Sequence, residues 1–594
     1  MPVLKNSVEF SVKNLYFTSM RNFLRHQPYS SGFKIFLGFS FFLLFSCARQ
    51  GMPPGGPVDR TPPRVLKTIP PNRVVHVSRT TQIQITFSEK MDRASLNDAL
   101  FFAPRPEKPI RLKWHGNTLS LMLPDSLLSD QTYLATIGTG AKDRHQNPLR
   151  ESFTLAFSTG SQLDNGRIFG RAYGTGSLMQ IQIWGYILRL TPLPDPETES
   201  PQYITQCDAN GRFRFRNLSP GNYRLFAVVD REKNRRYVPG YDAIGFPTRD
   251  AFLTRADSTD GPLFFRIAVR DTTRPKIISV FATDESHLQI RMSEPVDSLD
   301  ASNPENFVIR VEDHTPSETL AVRVSYRNRL NAGQIILLTA RQDSAVTYRL
   351  RLQNIHNRSG NLIDSLKASG TFKGSAQPDT IPPKIVRISP PDSSRTVLPD
   401  VFLSCLFSEA MDTASVPSAV ELRNAGGKTI SGKFLWKQPD FLKFKPDHIL
   451  KGDQYYRWHF FTNHMTDAQG NKMAEDSLTT VFRVVPDDTL SEISGVIKDP
   501  DSLAAGPIFL HIQQSNKPGL QKSIRLKAPG AYRFLYLLPG TYGLSGFRDE
   551  NRDGRFSPGS LKPFQFSERF FVYPDTILVR SRWPNEGNDL ELPK

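Results

Sequence analysis

Apolar and polar residues alternate in many short segments of the chain, and long helical patterns are scarce. Three of these segments end in similar phrases, "ITFSEKMD", "IRMSEPVD" and "CLFSEAMD". A period of two residues places one face of a β-strand in a core. The inward positions of the three strands are then Ile83, Ile85 and Phe87; Leu288, Ile290 and Met292; and Leu403, Cys405 and Phe407. The pattern predicts an all-β protein in which Cys405 has a packing role and not a chemical one.

The three phrases belong to a repeat of about 105 residues. Each copy opens with a Pro-containing phrase, "DRTPPRVLKTIPP" from Asp59, "DTTRPKIISVFAT" from Asp271 and "DTIPPKIVRISPP" from Asp379. Each copy later reaches a turn, "DRHQNPL", "NRSGNLI" or "DAQGNKM", whose Asn, Asp and Gly residues favour left-handed conformations. This combination resembles the bacterial Ig-like domain of surface-layer-type proteins. The resemblance implies three β-sandwich domains.

A second repeated unit aligns residues 211–240 with residues 530–559 without gaps. The two copies share alternating aromatic residues, a Pro-Gly turn and a Tyr-x-Leu strand. The matched positions are Phe213, Phe215, Leu218, Tyr223 and Leu225 in one copy and Tyr532, Phe534, Leu537, Tyr542 and Leu544 in the other. The pattern predicts two strands joined as a hairpin by a tight turn. It resembles the transthyretin-like or carboxypeptidase-regulatory-like β-sandwich, a fold also grouped with starch-binding modules.

The repeats predict a string of five β-sandwich domains after an N-terminal leader. The leader is a signal peptide at 1–46, with Met20 as an alternative start, followed by a Gly- and Pro-rich tether at 47–58. Ig-like domains are predicted at 59–161, 270–375 and 376–487, and transthyretin-like domains at 162–269 and 488–594. Sandwiches in single file would form a rod, on the order of 150 Å long if extended.

The N-terminal apolar run at 35–45 ends just before Cys47. As a helix it would reach about 17 Å, short of the roughly 30 Å hydrocarbon core of a bilayer. It therefore fits the apolar region of a signal peptide, and basic residues precede it as they do in such peptides. Leu44-Phe45-Ser46-Cys47 resembles the lipobox of bacterial lipoproteins, which implies cleavage before Cys47 and acylation of that residue. The alternative is an ordinary secretory signal with an incidental cysteine.

The charge balance and the cysteines argue against two classes of protein. The chain has 75 Lys and Arg against 58 Asp and Glu, a formal net charge of +17. The basic residues form no long run and alternate along strands, as on a solvated sheet face, so we expect no nucleic-acid partner. After Cys47 only Cys207 and Cys405 remain, so we expect no disulfide framework. Outside the leader, no apolar stretch is long enough to predict a transmembrane helix.

The sequence lacks the motifs typical of enzymes, such as a G-x-S-x-G elbow, an H-E-x-x-H helix or a Gly-rich phosphate loop. His459 and His464 would lie on opposite faces of one strand, where they could not share a metal. Glu89, Glu294 and Glu409 recur, but in different copies of the repeat, whereas catalytic carboxylate pairs lie within about 10 Å. We expect these glutamates to close their strands, and we expect no catalytic residue.

The phrase "DENRDG" at 549–554 resembles the first half of an EF-hand-type calcium loop. Asp549, Asn551 and Asp553 occupy alternate positions, and Gly554 would allow the sharp turn. The twelfth position is Ser560 and not the bidentate Glu of such loops. The matching turn in the other copy has Asp230, Glu232, Asn234 and Arg235, so it lacks the Gly. Either these turns bind calcium or they are polar hairpin turns.

Two functions follow from the combined resemblances. The first is a non-enzymatic envelope lipoprotein similar to those of the Bacteroidota, whose sandwiches act as a scaffold or bind an envelope partner. The alternative is a carbohydrate-binding envelope lipoprotein, with Tyr237, Tyr241 and Phe556 as candidate glycan contacts in the transthyretin-like domains. No acidic run of the kind associated with surface export follows Cys47. We therefore expect the protein to be anchored in the outer membrane by lipid and to face the periplasm.

Overall fold

The computed structural model of the chain describes residues 59–106, 109–312, 318–517 and 519–593. The predicted signal peptide, Cys47 and the tether lie outside the described residues. The chain divides into two compact units, Met1–Thr61 and Pro62–Lys594, and every strand and helix below belongs to the second. Strands make up 46% and helices 6%, which confirms the prediction of an all-β protein. In the described part of the chain, no helix combines the length and the apolar character needed to cross a membrane.

The first sandwich is formed by two sheets. Its strands are β1 (Val65–Ile69), β2 (Ile83–Phe87), β3 (Leu100–Ala103), β4 (Arg111–His115), β5 (Thr118–Met122), β6 (Thr132–Ile137) and β7 (Phe153–Ser158). One sheet has the order β1-β2-β5-β4 and the other β3-β6-β7. Helix α1 (Arg93–Ala99) begins after Asp92, whose carboxylate accepts the N–H of Ala94 at 3.0 Å and so caps the helix.

The second sandwich has a larger and a smaller sheet. Its strands are β8 (Gly166–Tyr173), β9 (Gln182–Ile187), β10 (Tyr203–Gln206), β11 (Arg212–Leu218), β12 (Gly221–Val229), β13 (Ala243–Gly245), β14 (Ala251–Leu253), β15 (Thr259–Arg266) and β16 (Ala268–Val269). The larger sheet has the order β10-β9-β12-β13-β16, with β14 also paired to β12. The smaller sheet has the order β11-β8-β15.

The third and fourth sandwiches share seven strands of one plan and differ in the eighth, an edge strand. The third contains β17 (Ile277–Ala282), β18 (His287–Met292), β19 (Phe307–Val311), β20 (Thr319–Leu320), β21 (Val322–Arg327), β22 (Gln334–Thr339), β23 (Thr347–Leu352) and β24 (Ser369–Lys373), with helix α2 (Ser298–Ala301). The fourth contains β25 (Ile385–Ser389), β26 (Ser394–Val397), β27 (Leu403–Phe407), β28 (Val420–Asn424), β29 (Gly432–Gln438), β30 (Phe441–Pro446), β31 (Tyr455–Phe460) and β32 (Leu478–Val484), with helix α3 (Ser415–Ser418). The sheet orders are β17-β18-β22-β21 and β20-β19-β23-β24, then β25-β27-β30-β29 and β26-β32-β31-β28.

The fifth sandwich follows the plan of the second and adds a small hairpin. Its strands are β33 (Ser491–Lys498), β34 (Ile508–Gln514), β35 (Gln521–Leu526), β36 (Gly530–Leu537), β37 (Gly540–Arg548), β38 (Ser560–Leu561), β39 (Phe564–Gln565), β40 (Phe570–Val572), β41 (Ile577–Val579) and β42 (Leu590–Glu591). The main sheets are β36-β33-β42 and β35-β34-β37-β40, with β41 also paired to β37, and β38-β39 forms the hairpin. Short 3-10 turns elsewhere span Leu178–Gln180, Pro304–Asn306, Ser365–Lys367, Thr462–His464 and Asp487–Thr489.

The Pro-Gly turns do not make hairpins, contrary to the sequence prediction. β11 pairs with β8, whereas β12 pairs with β9, β13 and β14, so the turn between them crosses from one sheet to the other. The fifth sandwich repeats this arrangement with β36 and β37. Phe213 on β11 and Tyr223 on β12 then face the same core from opposite sides. The alternation was assigned correctly, but alternation alone cannot distinguish a hairpin from a crossing between two sheets.

The predicted inward positions are the core of each Ig-like repeat. All nine are buried, with no more than 4% of any side chain exposed. Cys405 is fully buried between Leu403 and Phe407, and burial raises the pKa of its thiol well above the usual value. The packing role predicted for Cys405 is therefore confirmed.

The sandwiches contact one another, both between neighbours in sequence and across the chain. The core of the second sandwich continues into the first through Ala103, Leu134 and Ala156. Tyr326 of the third sandwich packs against Ala410 of the fourth. The fifth sandwich packs against the second, through contacts described below. The single-file rod predicted from the sequence is therefore wrong, because in single file the second and fifth sandwiches would not touch.

Candidate functional site

The three aromatic residues predicted to hold a glycan do not form one open surface. Tyr237 is buried, with 4% exposed, and burial raises the pKa of its hydroxyl to about 12. Phe556 is half-buried and packs edge-on against Phe570, with ring centroids 5.6 Å apart. Tyr241 is 47% exposed, and Arg231 lies 5.5 Å from its ring centroid. Of the three candidate glycan contacts, Tyr237 and Phe556 therefore turn inward, and Tyr241 is the one that is exposed.

The phrases that identify the Ig-like repeat meet in space in the fourth sandwich. Asp379, Glu409 and Asp467 each bring a carboxylate oxygen within 4.8 Å of the other two. Asp467 is 1% exposed, and its Oδ1 accepts the N–H groups of Gln469 at 2.9 Å and Asn471 at 2.8 Å. Burial, followed by the charges of Asp379 and Asp467, raises the pKa of Glu409 to about 7. Three negative charges repel one another here, and a proton relieves the repulsion.

The third sandwich has an amide where the fourth has its third carboxylate. Asn357 donates through Nδ2 to Oδ2 of Asp271 at 3.0 Å and to Oε2 of Glu294 at 2.9 Å. Its Oδ1 accepts the N–H groups of Ser359 and Asn361, both at 2.9 Å, as Oδ1 of Asp467 does in its own turn. One neutral side chain thus joins two carboxylates without adding a charge.

The first sandwich has a carboxylate, Asp143, at the position of Asp467 in the fourth. Asp143 is fully buried, and Asn147 donates to both of its oxygens, each at 2.8 Å. Burial raises the pKa of Asp143, but the bonds from Asn147, from the backbone of His145 and from Glu89 outweigh it, so the net shift is downward. The repeated glutamates are therefore parts of acidic clusters within each copy. Sequence reasoning noted their recurrence but not that each meets the turn phrase of its own copy.

The two histidines that were considered as a metal pair, His459 and His464, lie in different elements of secondary structure. His459 lies in β31, where its Nδ1 is 2.5 Å from Oγ1 of Thr479. His464 lies in the 3-10 turn that follows the strand. The prediction placed both on one strand, which is wrong, because β31 ends at Phe460.

A buried histidine joins the third and fourth sandwiches. His287 is 7% exposed, and its Nδ1 lies 2.8 Å from Oδ2 of Asp284 and 3.7 Å from Oδ2 of Asp379. Burial lowers the pKa of His287, but the bond to Asp284 and the charges of Asp284, Asp379 and Glu409 outweigh it and raise the pKa. Burial alone would raise the pKa of Asp284, yet bonds from His287 and Ser286 lower it to about 2. A protonated His287 therefore forms a hydrogen bond with Asp284 of the third sandwich and attracts the carboxylate of Asp379 in the fourth.

The predicted calcium ligands Asp549, Asn551 and Asp553 lie together in one turn. Asp549 is 1% exposed, and its two oxygens accept the N–H groups of Asp553 at 3.1 Å and Gly554 at 3.0 Å. Asn551 accepts the same N–H of Asp553 at 3.0 Å and donates to Oδ2 of Asp553 at 3.1 Å. These side chains stabilise the turn itself, and calcium binding there stays a prediction.

Sequence reasoning missed a second buried carboxylate at this turn. Glu568 is 5% exposed and accepts the N–H groups of Glu550 and Ser557, both at 2.8 Å. In the second sandwich, fully buried Asp242 accepts from the two equivalent positions, at 3.0 and 2.9 Å. The hairpin β38–β39 separates Glu568 from the segment that aligns without gaps. That insertion hid the match between Glu568 and Asp242.

The equivalent turn of the second sandwich serves a contact between sandwiches. Asp230 accepts the N–H groups of Asn234 at 3.2 Å and Arg235 at 2.8 Å. Arg235 has a φ of 59° where Gly554 has 76°, so a larger side chain adopts the left-handed conformation that favours glycine. Its guanidinium donates to the carbonyl of Leu100 in the first sandwich at 3.2 Å. Arg235, which replaces the glycine, thus makes a contact with the first sandwich that a glycine could not make.

The hairpin β38–β39 of the fifth sandwich packs against the second sandwich. We call this contact, formed by Arg224, Asp250 and Asp195 with Lys562 and Phe564, the clasp. The Cζ of Arg224 lies 3.9 Å from the ring centroid of Phe564. Asp250 accepts two hydrogen bonds from the same guanidinium, at 2.8 and 2.7 Å. Lys562 forms an ion pair with Asp195 at 3.2 Å. The clasp therefore combines an aromatic contact with opposite charges across the interface.

A second aromatic cluster also joins the second and fifth sandwiches. Arg266 of the second sandwich lies 4.8 Å from the ring centroid of Phe556 and 5.4 Å from that of Phe570. Tyr173 contacts Phe570 edge-on, with centroids 5.9 Å apart. Phe556, considered as a glycan contact, is thus part of the interface between the two sandwiches.

Comparison with known proteins supports the fold of two segments. Residues 59–159 and 379–484 match the family described as bacterial Ig-like domain. No curated protein matches the chain by sequence.

Three solved structures resemble parts of the chain. The N-terminal part of the bacterial S-layer protein SbsC is 13% identical with a TM-score of 0.16, over 36% of this chain and 44% of that one. CopC from Methylosinus trichosporium OB3b is 15% identical with a TM-score of 0.14, over 18% of this chain and 94% of that one. An L,D-transpeptidase from Mycobacterium smegmatis is 11% identical with a TM-score of 0.16, over 36% of this chain and 90% of that one. The chain thus spans less than half of the S-layer fragment, and none of the three assigns it a function.

Proposed function

We propose that the protein is a non-enzymatic, lipid-anchored protein of the bacterial cell envelope whose joined β-sandwiches act as a scaffold for an envelope partner. The observation that carries the proposal is the clasp, in which Arg224 of the second sandwich contacts Phe564 of the fifth. A scaffold must hold its surfaces in fixed relative positions. Contacts between sandwiches distant in sequence oppose the independent motion that is the default for linked domains.

The contacts around the clasp are suited to a lasting interface. Arg224 is 8% exposed, so its charge is largely removed from water and needs both Asp250 and the ring face. Arg555 of the fifth sandwich bonds to Asp297 of the third at 2.7 Å. Lys522 of the fifth bonds to Asp400 of the fourth at 2.7 Å. The fifth sandwich is thereby bonded to three others.

The two matched segments and the sequence resemblance support a place in the envelope. The bacterial Ig-like match covers the first and fourth sandwiches, and the second and fifth resemble transthyretin-like domains in sequence. With the lipobox-like phrase ending at Cys47, these features are similar to those of Bacteroidota envelope lipoproteins. We place the protein in the outer membrane, facing the periplasm, with Cys47 as its acylated residue and a protein or glycan of the envelope as its partner.

Metabolic labelling tests the anchor. Cells given a clickable palmitate should label the wild-type protein and should not label Cys47→Ala. Two or more acyl chains are needed for stable attachment, so Cys47→Ala should also leave the membrane fraction. Equal labelling of both proteins would refute the anchor. Rapid digestion of the folded sandwiches on intact cells would refute the periplasmic orientation.

Partner capture tests the scaffold. Photo-crosslinking of the wild type in the envelope should yield a defined protein adduct, and Phe564→Ala, which weakens the clasp, should reduce it. Phe252→Ala changes a ring that is 59% exposed on the second sandwich and outside the clasp, so it should retain the adduct. An adduct that is independent of Phe564 would show that the joined arrangement has no part in binding.

A further inference from the structure

Trp583 presents an unusual amount of indole surface to solvent. It is 72% exposed, more than any other aromatic side chain in the described ranges. Trp184 and Trp458 are fully buried, and Trp114 and Trp436 are partly buried. A large aromatic left in water gives up the free energy that its burial would provide. Tryptophan is enriched among the residues that contribute most to binding, so Trp583 is a candidate contact for another molecule.

The backbone around Trp583 is held in place. Its N–H donates to the carbonyl of Arg580 at 3.3 Å, and its carbonyl accepts the hydroxyl of Ser491. The next segment joins the first strand of the fifth sandwich, with the N–H of Asn585 donating to the carbonyl of Glu492 at 3.0 Å. Because the backbone is already ordered, only the rotamers of the indole itself remain to be fixed when a ligand binds.

The indole borders a shallow groove of about 410 Å³ on the fifth sandwich. Tyr573, Asp575, Thr576 and Arg580 also line it. Among the described residues, no hydrogen bond or ion pair engages the side chains of Asp575, Thr576 or Arg580. The groove therefore offers the exposed indole of Trp583 together with a carboxylate, a hydroxyl and a guanidinium that form no bond within the described residues.

We infer that this groove binds a glycan, with one sugar ring stacked on Trp583. A pyranose has an apolar face of C–H groups, which complements the negative face of an indole, and an edge of hydroxyls. The carboxylate of Asp575 and the fork of Arg580 bind paired hydroxyls on such an edge through charge-assisted hydrogen bonds. The groove is shallow and its lining mixes polar with apolar groups, whereas a pocket for an apolar side chain is enclosed and mostly apolar. This inference rests on the proposed function, whose partner is a protein or glycan of the envelope, and deepens it by naming a glycan and its site. It does not depend on the aromatic residues chosen from the sequence.

The test uses the full-length protein in detergent. Native gels containing dextran, laminarin, xylan or mannan, and sedimentation with purified peptidoglycan sacculi, measure binding to defined glycans. At least one glycan should bind the wild type. Trp583→Ala should weaken that binding about tenfold or more, and Trp583→Phe should retain part of it. The matched control Phe252→Ala also removes an exposed ring, from the second sandwich, and should bind like the wild type.

Fluorescence gives a second, local measurement. Because Trp583 is the most exposed of the five tryptophans, acrylamide should quench it more than the others, and the bound glycan should protect it. Absence of binding to every glycan tested would overturn the inference. Binding that Trp583→Ala leaves unchanged, or a Trp583-dependent adduct with a protein and with no glycan, would also overturn it. None of these outcomes alters the labelling of Cys47 or the clasp-dependent adduct that tests the scaffold.

Discussion

The guanidinium of Arg224 lies 3.9 Å from the ring centroid of Phe564, although the two residues belong to the second and fifth sandwiches. The position of Arg224 is set within its own sandwich, because Asp250 accepts two bonds from it. Phe564 reaches it from the hairpin β38–β39. The second sandwich thus provides a preformed cationic surface, and the hairpin insertion of the fifth provides the ring that covers it.

Phe564→Ala should open this interface while leaving both sandwiches folded. A cation–π contact in a largely desolvated site is worth about 2 kcal/mol, and the lost apolar contact adds to that. The N–H of Ser567, which donates to the carbonyl of Pro247 at 2.9 Å across the interface, should then exchange with deuterium about 5 to 30 times faster. Hydrogen-exchange mass spectrometry of the peptide around 560–570 measures this.

Phe252→Ala is the matched control, because it removes a ring of the second sandwich that is 59% exposed and lies outside the clasp. Exchange at Ser567 should match the wild type in that variant. Unchanged exchange in Phe564→Ala would mean that the ion pairs of the clasp hold the interface without the ring.

The core was predictable from the sequence because burial follows a two-residue period, as at Ile83, Ile85 and Cys405. The clasp was not, since nothing in the pattern around Phe564 indicates which distant surface it contacts. The acidic clusters were predictable only in part. The phrases that carry Glu409 and Asp467 recur in the sequence, but only the fold shows that these two residues lie together. Tyr237 failed as a glycan candidate because a turn aromatic gives no sign of whether it points inward.

The third and fourth sandwiches allow a reciprocal exchange of one side chain. Asn357→Asp should destabilise the third sandwich, because the amide bonds to Asp271 and Glu294 would be replaced by a third negative charge. The expected cost is about 1–3 kcal/mol at pH 8. Asp467→Asn should stabilise the fourth sandwich at pH 8, since it removes one charge from the cluster with Asp379 and Glu409. Scanning calorimetry of the full chain in a chelating buffer measures both.

Each of the two variants controls for the other, because both change the same pair of side chains in the same turn. Melting temperatures that move in opposite directions would support the charge argument. A loss of stability in both would show that the backbone bonds of the turn, and not the charge, decide which residue is accepted.

Calcium should raise the melting temperature if Asp549, Asn551 and Asp553 bind it. Without the bidentate Glu, a dissociation constant of about 10⁻⁴ to 10⁻³ M is expected. At about 10 mM calcium this corresponds to about 1.4 to 2.7 kcal/mol. Asp553→Asn, which keeps an oxygen to accept the N–H of Arg555, should abolish the shift. Asp208→Asn, in a similar turn where Asp208 accepts from Asn210 and Arg212, should not. A melting temperature that does not change with calcium would show that residues 549–554 form a polar turn without a calcium site.

The junction between the third and fourth sandwiches should become less stable as pH rises. The pKa of Glu409 is raised to about 7 by burial and by Asp379 and Asp467, and the pKa of His287 is raised because its carboxylate neighbours outweigh burial. A group whose pKa is higher in the folded state contributes its full stability below its unfolded pKa, and loses it as pH passes the folded pKa. For Glu409 that loss runs from about 4.3 to the folded value, and for His287 it begins near 6.5. Both changes have the same sign.

The melting temperature in a chelating buffer should therefore be higher at pH 6 than at pH 8, by about 2–4 °C for each kcal/mol involved. Asp284 does not reverse this slope, because its pKa is lowered to about 2 and its contribution is lost only in stronger acid. Glu409→Gln should stabilise the protein at pH 8 and reduce the slope, whereas Glu151→Gln, at an exposed site in the first sandwich, should change neither. A slope that Glu409→Gln leaves intact would assign the effect to His287, and His287→Gln should then remove it. If both variants kept the wild-type slope, neither Glu409 nor His287 would be the source of the pH dependence.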